Sequence, residues 1–188
     1  MPSPVGHALA GVAVAWGADL VPGRRAWRIA PADACWYRKA GDGLTVVCLA
    51  LAAIPDADLL TSSHRTFSHS ISSVVVVALV AAVAAAWAHR PVVRIAGMSG
   101  AAYASHLFLD WLGVDTTPPE GIQVFWPFAH AWFISGFDLF RATERENLFS
   151  AQAFWTNVLA VTQEIVLLAP VLVALWLVRV KALSRLPS

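Results

Sequence analysis

SISSVVVVALVAAVAAAWA, residues Ser70 to Ala88, runs without a single charge for about the length a helix needs to cross a bilayer. No soluble helix of that length needs to be apolar on every face, so this stretch predicts a transmembrane helix. Similar stretches lie on both sides of it. Residues 92–114 form an apolar run with Arg94 at one end and His106 and Asp110 near the other. Residues 155–178 form a further strong apolar span, interrupted by Gln163, Glu164 and Pro170. Residues 43–60 stay apolar until Pro55-Asp56-Ala57-Asp58 closes the run, and the short, Gly/Ala-rich residues 5–21 carry His7 and Asp19.

Composition agrees with this reading. Of 188 residues, 58% are apolar and 13% charged, against about 25% charged in soluble domains. Nine tryptophans suit membrane interface belts. The net charge of +1 offers no basic surface for nucleic acid, so no nucleic-acid partner is expected. Cys35 and Cys48 form no C-x-x-C pair, which excludes a disulfide framework and a thiolate zinc site. The expected fold is all-α: one integral membrane domain over 1–188, a polytopic bundle of about five spans, with an interfacial or re-entrant segment at 120–150.

Charge placement predicts the orientation. No positive charge precedes the first span, and Arg24, Arg25 and Arg28 follow it, so it does not read as a cleavable signal peptide. With five spans, the loop 22–42, the turn 89–94 and the tail 179–188 share one side and hold ten of the thirteen Lys and Arg residues. The positive-inside rule puts that side in the cytoplasm, with the N-terminus outside and the C-terminus cytoplasmic. Such a chain has the lipid bilayer as its first partner.

The same topology sorts the ionisable residues. His7, Asp56, Asp58, His64, His69, His106 and Asp110 all fall at the outer ends of helices or in the outer loop. His106 and Asp110 are four apart, so they project from one helical face one turn apart. That pair suits a shared metal ion, two ions bridged by the carboxylate, or a buried hydrogen bond. Intramembrane ionisable residues make function the default reading. Two aspartates leave one helix at Pro55-Asp56-Ala57-Asp58, and His64 and His69 enter the next. Proline at that depth marks irregular backbone lining a polar cavity. His and Asp donors without cysteine favour Zn2+, one or two ions, with Mn2+ as the alternative. Acidic residues outnumber the three outer arginines, a field that draws in divalent cations.

Pro-Asp-x-Asp (55–58), His-Arg-x-x-Ser-His-Ser (64–70), His-x-x-x-Asp (106–110) and Phe-Trp-Pro-Phe (125–128) resemble the membrane-bound metal-dependent hydrolase family, also labelled LexA-binding, inner-membrane-associated hydrolases. The likeness runs from His7 to Phe128. More distantly, the donor order is similar to that of zinc-dependent phospholipase C and related nucleases. That likeness implies that His69, His106, Asp110 and one of Asp56 and Asp58 hold one metal, with His7 and Asp110 holding another. A third site lacks its His-x-x-x-Glu or His-x-x-x-Asp, with only His130 and Glu164 left over.

The implied activity is hydrolysis of a phosphoester, lipid or lipid-linked, by a metal-activated water at the outer face. Arg65 would clamp the phosphate, or else pair with Asp56 or Asp58. Asp58 or Asp56 would serve as general base or as ligand. Two other classes stay open: a metal-binding or transport protein, and a regulatory protein whose cluster is structural. Trp126, Trp132 and Trp155 read as an aromatic belt, Asp138 to Glu146 as a solvated surface helix, and Gln163 and Glu164 as facing the bundle interior, in contact with substrate or with each other.

Overall fold

The computed structural model of the chain describes residues 1–21, 40–60, 65–145 and 149–183. His64 and the basic loop that carries Arg24, Arg25, Arg28 and Cys35 lie outside them. The described residues form five α-helices and no strands: α1 (Pro4–Asp19), α2 (Gly43–Ala53), α3 (Ile71–Trp87), α4 (Val92–Leu112) and α5 (Ala151–Leu183). Two short 3-10 helices, Ile54–Leu60 and Phe67–His69, lie between α2 and α3.

Each helix start has a local cause. Pro4 occupies the first turn of α1, where its missing N–H costs nothing, and the Ser3 side chain accepts from the N–H groups of Val5 and Gly6. Asp42 and Thr45 close a reciprocal capping box on α2. Ser70 caps α3 by accepting from the Ser73 N–H.

The predicted span 43–60 is interrupted. The α-helix stops at Ala53, and the chain tightens into the 3-10 geometry of Ile54–Leu60. Pro55 explains the change, because it carries no N–H for a helical hydrogen bond.

Among the described residues, only α5 is long and apolar enough to cross a membrane, over Ala151–Val180; α3 is apolar too but has 17 residues. At 1.5 Å per residue those 17 cover about 25 Å of a hydrocarbon core of about 30 Å. Both helices turn large apolar side chains outward: Val75, Val76, Leu79 and Val80 on α3, Leu159, Val166 and Leu177 on α5. Large contiguous apolar surface of this kind belongs against lipid or a partner.

Interior contacts use small residues instead. Ala15, Cys48 and Ala102 are buried together where α1, α2 and α4 meet, the small-residue packing typical of membrane helices. At the end of the bundle remote from His7, Asp19 accepts from Arg94 Nη2 at 2.7 Å and from Arg179 Nε at 2.8 Å. That ion triad ties the end of α1 to the start of α4 and to the last turns of α5.

Between α4 and α5 the chain forms an irregular strap, pinned by isolated bridges of Gly113 to Phe140 and Ile122 to Phe133. The surface helix expected over Asp138 to Glu146 does not form: the described part of it, 138–145, is irregular apart from an isolated bridge at Phe140. Its backbone bonds elsewhere. Leu139 N–H donates to Leu112 O, Arg141 N–H to Gln163 Oε1, and Glu144 N–H to Asn157 Oδ1. Gln163 and Asn157 also donate back, to Leu139 O and Glu144 O. Two amides on α5 thus hold the strap in place of helical hydrogen bonds.

Candidate metal centre

Four elements bring the predicted donors to one end of the bundle. His7 comes from the second turn of α1, Asp56 and Asp58 from the first 3-10 helix, His69 from the second, and His106 and Asp110 from α4. His7, His69, His106 and Asp110 are fully buried, while Asp56 and Asp58 retain only 7% and 5% exposure.

Asp110 stands at the middle. Its Oδ1 lies 3.4 Å from His7 Nε2, and its Oδ2 lies 3.2 Å from His69 Nε2 and 3.1 Å from His106 Nε2. Asp56 lies 3.9 Å from both His7 Nε2 and His106 Nε2. The rings of His7 and His106 stack at 3.7 Å. Donor atoms of His7, Asp56 and His106 fall within 4.8 Å of one another, and so do those of His69, His106 and Asp110.

Whether a metal fits is answered by the unpaired atoms. Both nitrogens of His7, both oxygens of Asp56 and both oxygens of Asp110 are buried without a hydrogen-bond partner among the described residues. Leaving one such group unmatched costs about 1–3 kcal/mol, so several together need a common partner. A divalent cation satisfies nitrogen lone pairs and carboxylate oxygens at once, and these buried His and Asp groups could hold one.

The remaining ring nitrogens are fixed for that purpose. His106 Nδ1 lies 2.8 Å from Ala52 O. Pro55 has no N–H to offer that carbonyl as a 3-10 donor, so it stays available to the imidazole. Donation from Nδ1 leaves the Nε2 lone pair facing Asp110. His69 Nδ1 lies 3.2 Å from Asp58 Oδ2 and 2.9 Å from Ser68 Oγ. Ser68 Oγ also donates to Asp58. This is how ring orientation is set around bound metals, through a carboxylate or carbonyl on the remote nitrogen. Burial disfavours charge on His69, but the carboxylates of Asp110 and Asp58 outweigh it and lift its pKa to about 9. Because Asp58 touches only the outer edge of His69, Asp58→Asn is expected to weaken metal binding about 10–100-fold without abolishing it, as read by competition with a chelating dye.

Arg65 pairs with neither Asp56 nor Asp58 through its guanidinium. It donates to Asp115 and to Thr117 O, and its Cζ lies 5.6 Å from the centre of the Trp132 ring. Only its backbone N–H reaches Asp58, at 3.1 Å. The arginine beside Asp56 is Arg145, with Nη2 at 3.7 Å from Oδ1. Sequence offered no signal for it, because the strap has no periodicity.

Glu164 is the second residue that sequence left unassigned. It is fully buried and accepts from Ser3 N–H at 2.6 Å, from Ser3 Oγ, and from Gly6 N–H at 3.1 Å. It thus satisfies the orphan amides at the start of α1, one residue before His7. A Cβ on Gly6 would lie 2.7 Å from Glu164 Oε2, so glycine is what permits the approach. Glu164→Ala is expected to lower stability by about 2 kcal/mol, the worth of hydrogen bonds to a charged group, as read by thermal unfolding in detergent. His130 contributes its carbonyl, which accepts from Gln123 Nε2 at 3.1 Å.

Comparison with known proteins agrees on the membrane. The profile of the YdjM inner membrane protein family matches residues 1–184. No curated protein and no solved structure matches the chain. An apolar helix able to span a bilayer and a match over almost the entire length lead to one conclusion: the chain belongs to the YdjM inner membrane protein family.

Proposed function

We propose that the chain is a membrane-embedded, metal-dependent hydrolase that cleaves a phosphoester, lipid or lipid-linked. The observation that carries this reading is Asp110, fully buried, with one oxygen turned to His7 and the other to His69 and His106. Asp110 with His69 and His106, or Asp56 with His7 and His106, would hold a divalent cation. The ligand set is His7, Asp56, His69, His106 and Asp110, while Asp58 and the Ala52 carbonyl orient His69 and His106. Zinc, or manganese in its place, would supply Lewis acidity and a water of lowered pKa.

The chain's own residues do the rest. Burial keeps bulk water from the donors and strengthens every charge interaction among them. Ser68 and Asp58 hold the His69 ring, so its Nε2 cannot swing away from Asp110. The five-span topology supplies the substrate class: all the donors gather at one end of the bundle, remote from the Asp19–Arg94–Arg179 triad. The positive-inside rule makes that end the external, periplasmic face, where the phosphoesters within reach are carried by lipids.

The test is turnover. Zinc-loaded protein in mixed micelles is expected to cleave phospholipid or a chromogenic phosphodiester, to lose activity to a chelator, and to regain it with zinc. Stoichiometric metal with no turnover of any phosphoester would sink the hydrolase. Metal flux in liposomes would then identify a transporter.

A further inference from the structure

Among the described residues, metal-ligating atoms close within 4.8 Å in two groups: His7, Asp56 and His106, and His69, His106 and Asp110. His106 belongs to both, and its own ring limits what it can give. His106 Nδ1 lies 2.8 Å from Ala52 O. A carbonyl oxygen only accepts, so the ring proton sits on Nδ1 and one lone pair is left, on Nε2. That nitrogen lies 3.0 Å from His69 Nε2 and 3.1 Å from Asp110 Oδ2 on one side, and 3.9 Å from Asp56 Oδ1 on the other. One lone pair binds one ion, so the two groups are never complete together.

Charge leads to the same count. Asp56 and Asp110 are buried, and their two negative charges balance one divalent ion. A second ion would leave positive charge uncompensated in a buried site, which is costly. Asp58 does not supply the balance, because it is turned to the outer nitrogen of His69, at 3.2 Å, and accepts from the Arg65 N–H. Arg145, with Nη2 3.7 Å from Asp56 Oδ1, adds to the positive side.

The donors that are not shared have separate supports. His7 follows Gly6, whose N–H donates to Glu164 Oε2 at 3.1 Å, while Ser68 and Asp58 hold the His69 ring. Loss of one therefore leaves the other in place.

We propose that the centre holds one divalent ion at a time, at either of two overlapping seats that share His106. His69 and Asp110 complete one seat, and His7 and Asp56 complete the other. Asp110 borders both, since its Oδ1 lies 3.4 Å from His7 Nε2. The shorter distances on the His69 side make that the preferred seat. The inference rests on the metal-dependent reading of the site and fixes its stoichiometry: a mononuclear centre whose idle donors form a second landing place for the same ion.

Counting zinc by mass spectrometry on detergent-purified protein, with a chelating dye for affinity, tests this. Wild type is expected to saturate at one zinc per chain even with zinc in excess. His7→Ala spares the preferred seat and should keep one zinc within about tenfold of the wild-type affinity. His69→Ala sends the ion to the other seat, still one per chain but about 10–100-fold weaker, as when a ligand's support is disturbed. His106→Ala and the double variant His7→Ala/His69→Ala leave no complete seat and should hold no stoichiometric zinc. Two tightly held zinc ions per wild-type chain overturn the single-ion centre and leave the hydrolase reading standing, and that count needs no variant to fold. Loss of stoichiometric zinc from a folded His7→Ala or His69→Ala overturns the pair of seats. A wild type that takes up no zinc overturns both the seats and the hydrolase.

Discussion

Asp110→Asn is expected to strip the protein of its metal. Mass spectrometry of detergent-purified wild type should find one or two zinc or manganese ions per chain, and the variant should retain none at stoichiometric level. The reasoning is geometric. Among the described residues, Asp110 is the one carboxylate within 3.4 Å of all three buried imidazoles, so any ion bound to those rings would meet it. An amide keeps the shape but loses the charge, and it brings N–H groups where lone pairs are needed. The affinity loss should exceed ~100-fold, the upper end of what removing an outer carboxylate costs. Thermal unfolding gives an independent readout, since free zinc at 100 times its Kd stabilises the folded state by about 2.7 kcal/mol. Wild type should shift upward with added zinc while the variant stays still. A wild type that takes up no metal, even after reconstitution, would reduce the cluster to a hydrogen-bonded network.

Gly11→Leu should damage the fold and the site together. A Cβ at Gly11 would lie 2.5 Å from the Cys48 carbonyl oxygen and 2.8 Å from Ala52 Cβ. Those neighbours are backbone and a methyl group on α2, and neither can swing aside. The helices must separate, at a cost near the upper end for overpacked cores, about 3 kcal/mol. Separation also displaces Ala52, whose carbonyl fixes His106, and Asp56 just beyond it. The variant should therefore unfold at lower temperature and bind zinc poorly even where it remains folded. Gly17→Leu, on the same helix with nothing within 4 Å of its added Cβ, is the control that should do neither. Equal stability of the two variants would show that the α1–α2 crossing does not depend on close approach.

The helices were legible because apolar runs declare themselves. The stretch at 70–88 became Ile71–Trp87, the run at 92–114 became Val92–Leu112, and the last span lengthened to Ala151–Leu183. The run at 43–60 was less so: hydropathy continues through Ile54, whereas Pro55 changes the backbone there without changing polarity. Five of the predicted donors, His7, Asp56, His69, His106 and Asp110, could be placed at one depth from topology alone, and the structure brings them together. Asp58 was read as ligand or general base and Arg65 as phosphate clamp or partner of Asp56 or Asp58; the structure sets Asp58 against His69 Nδ1 and the Arg65 guanidinium on Asp115 and Thr117 O, because pairing depends on a strap with no period to read. Ser68, Glu164 and Arg145 were missed as contributors. Glu164 and Arg145 act across long sequence separations, on Ser3 and Asp56, where nothing local marks them, whereas Ser68 acts on its neighbour His69 and on Asp58 ten residues earlier.

The last helix supplies no donor, yet Glu164 seats the start of α1, and Gln163 and Asn157 seat the strap that carries Arg145. Ribosomal synthesis therefore delivers every donor well before the element that organises them. A nascent chain that has reached Phe140 has all five donors and no finished centre. Until α5 joins the bundle, Ser3 and the strap lack these partners, so the donors upstream would be present without the contacts that seat them.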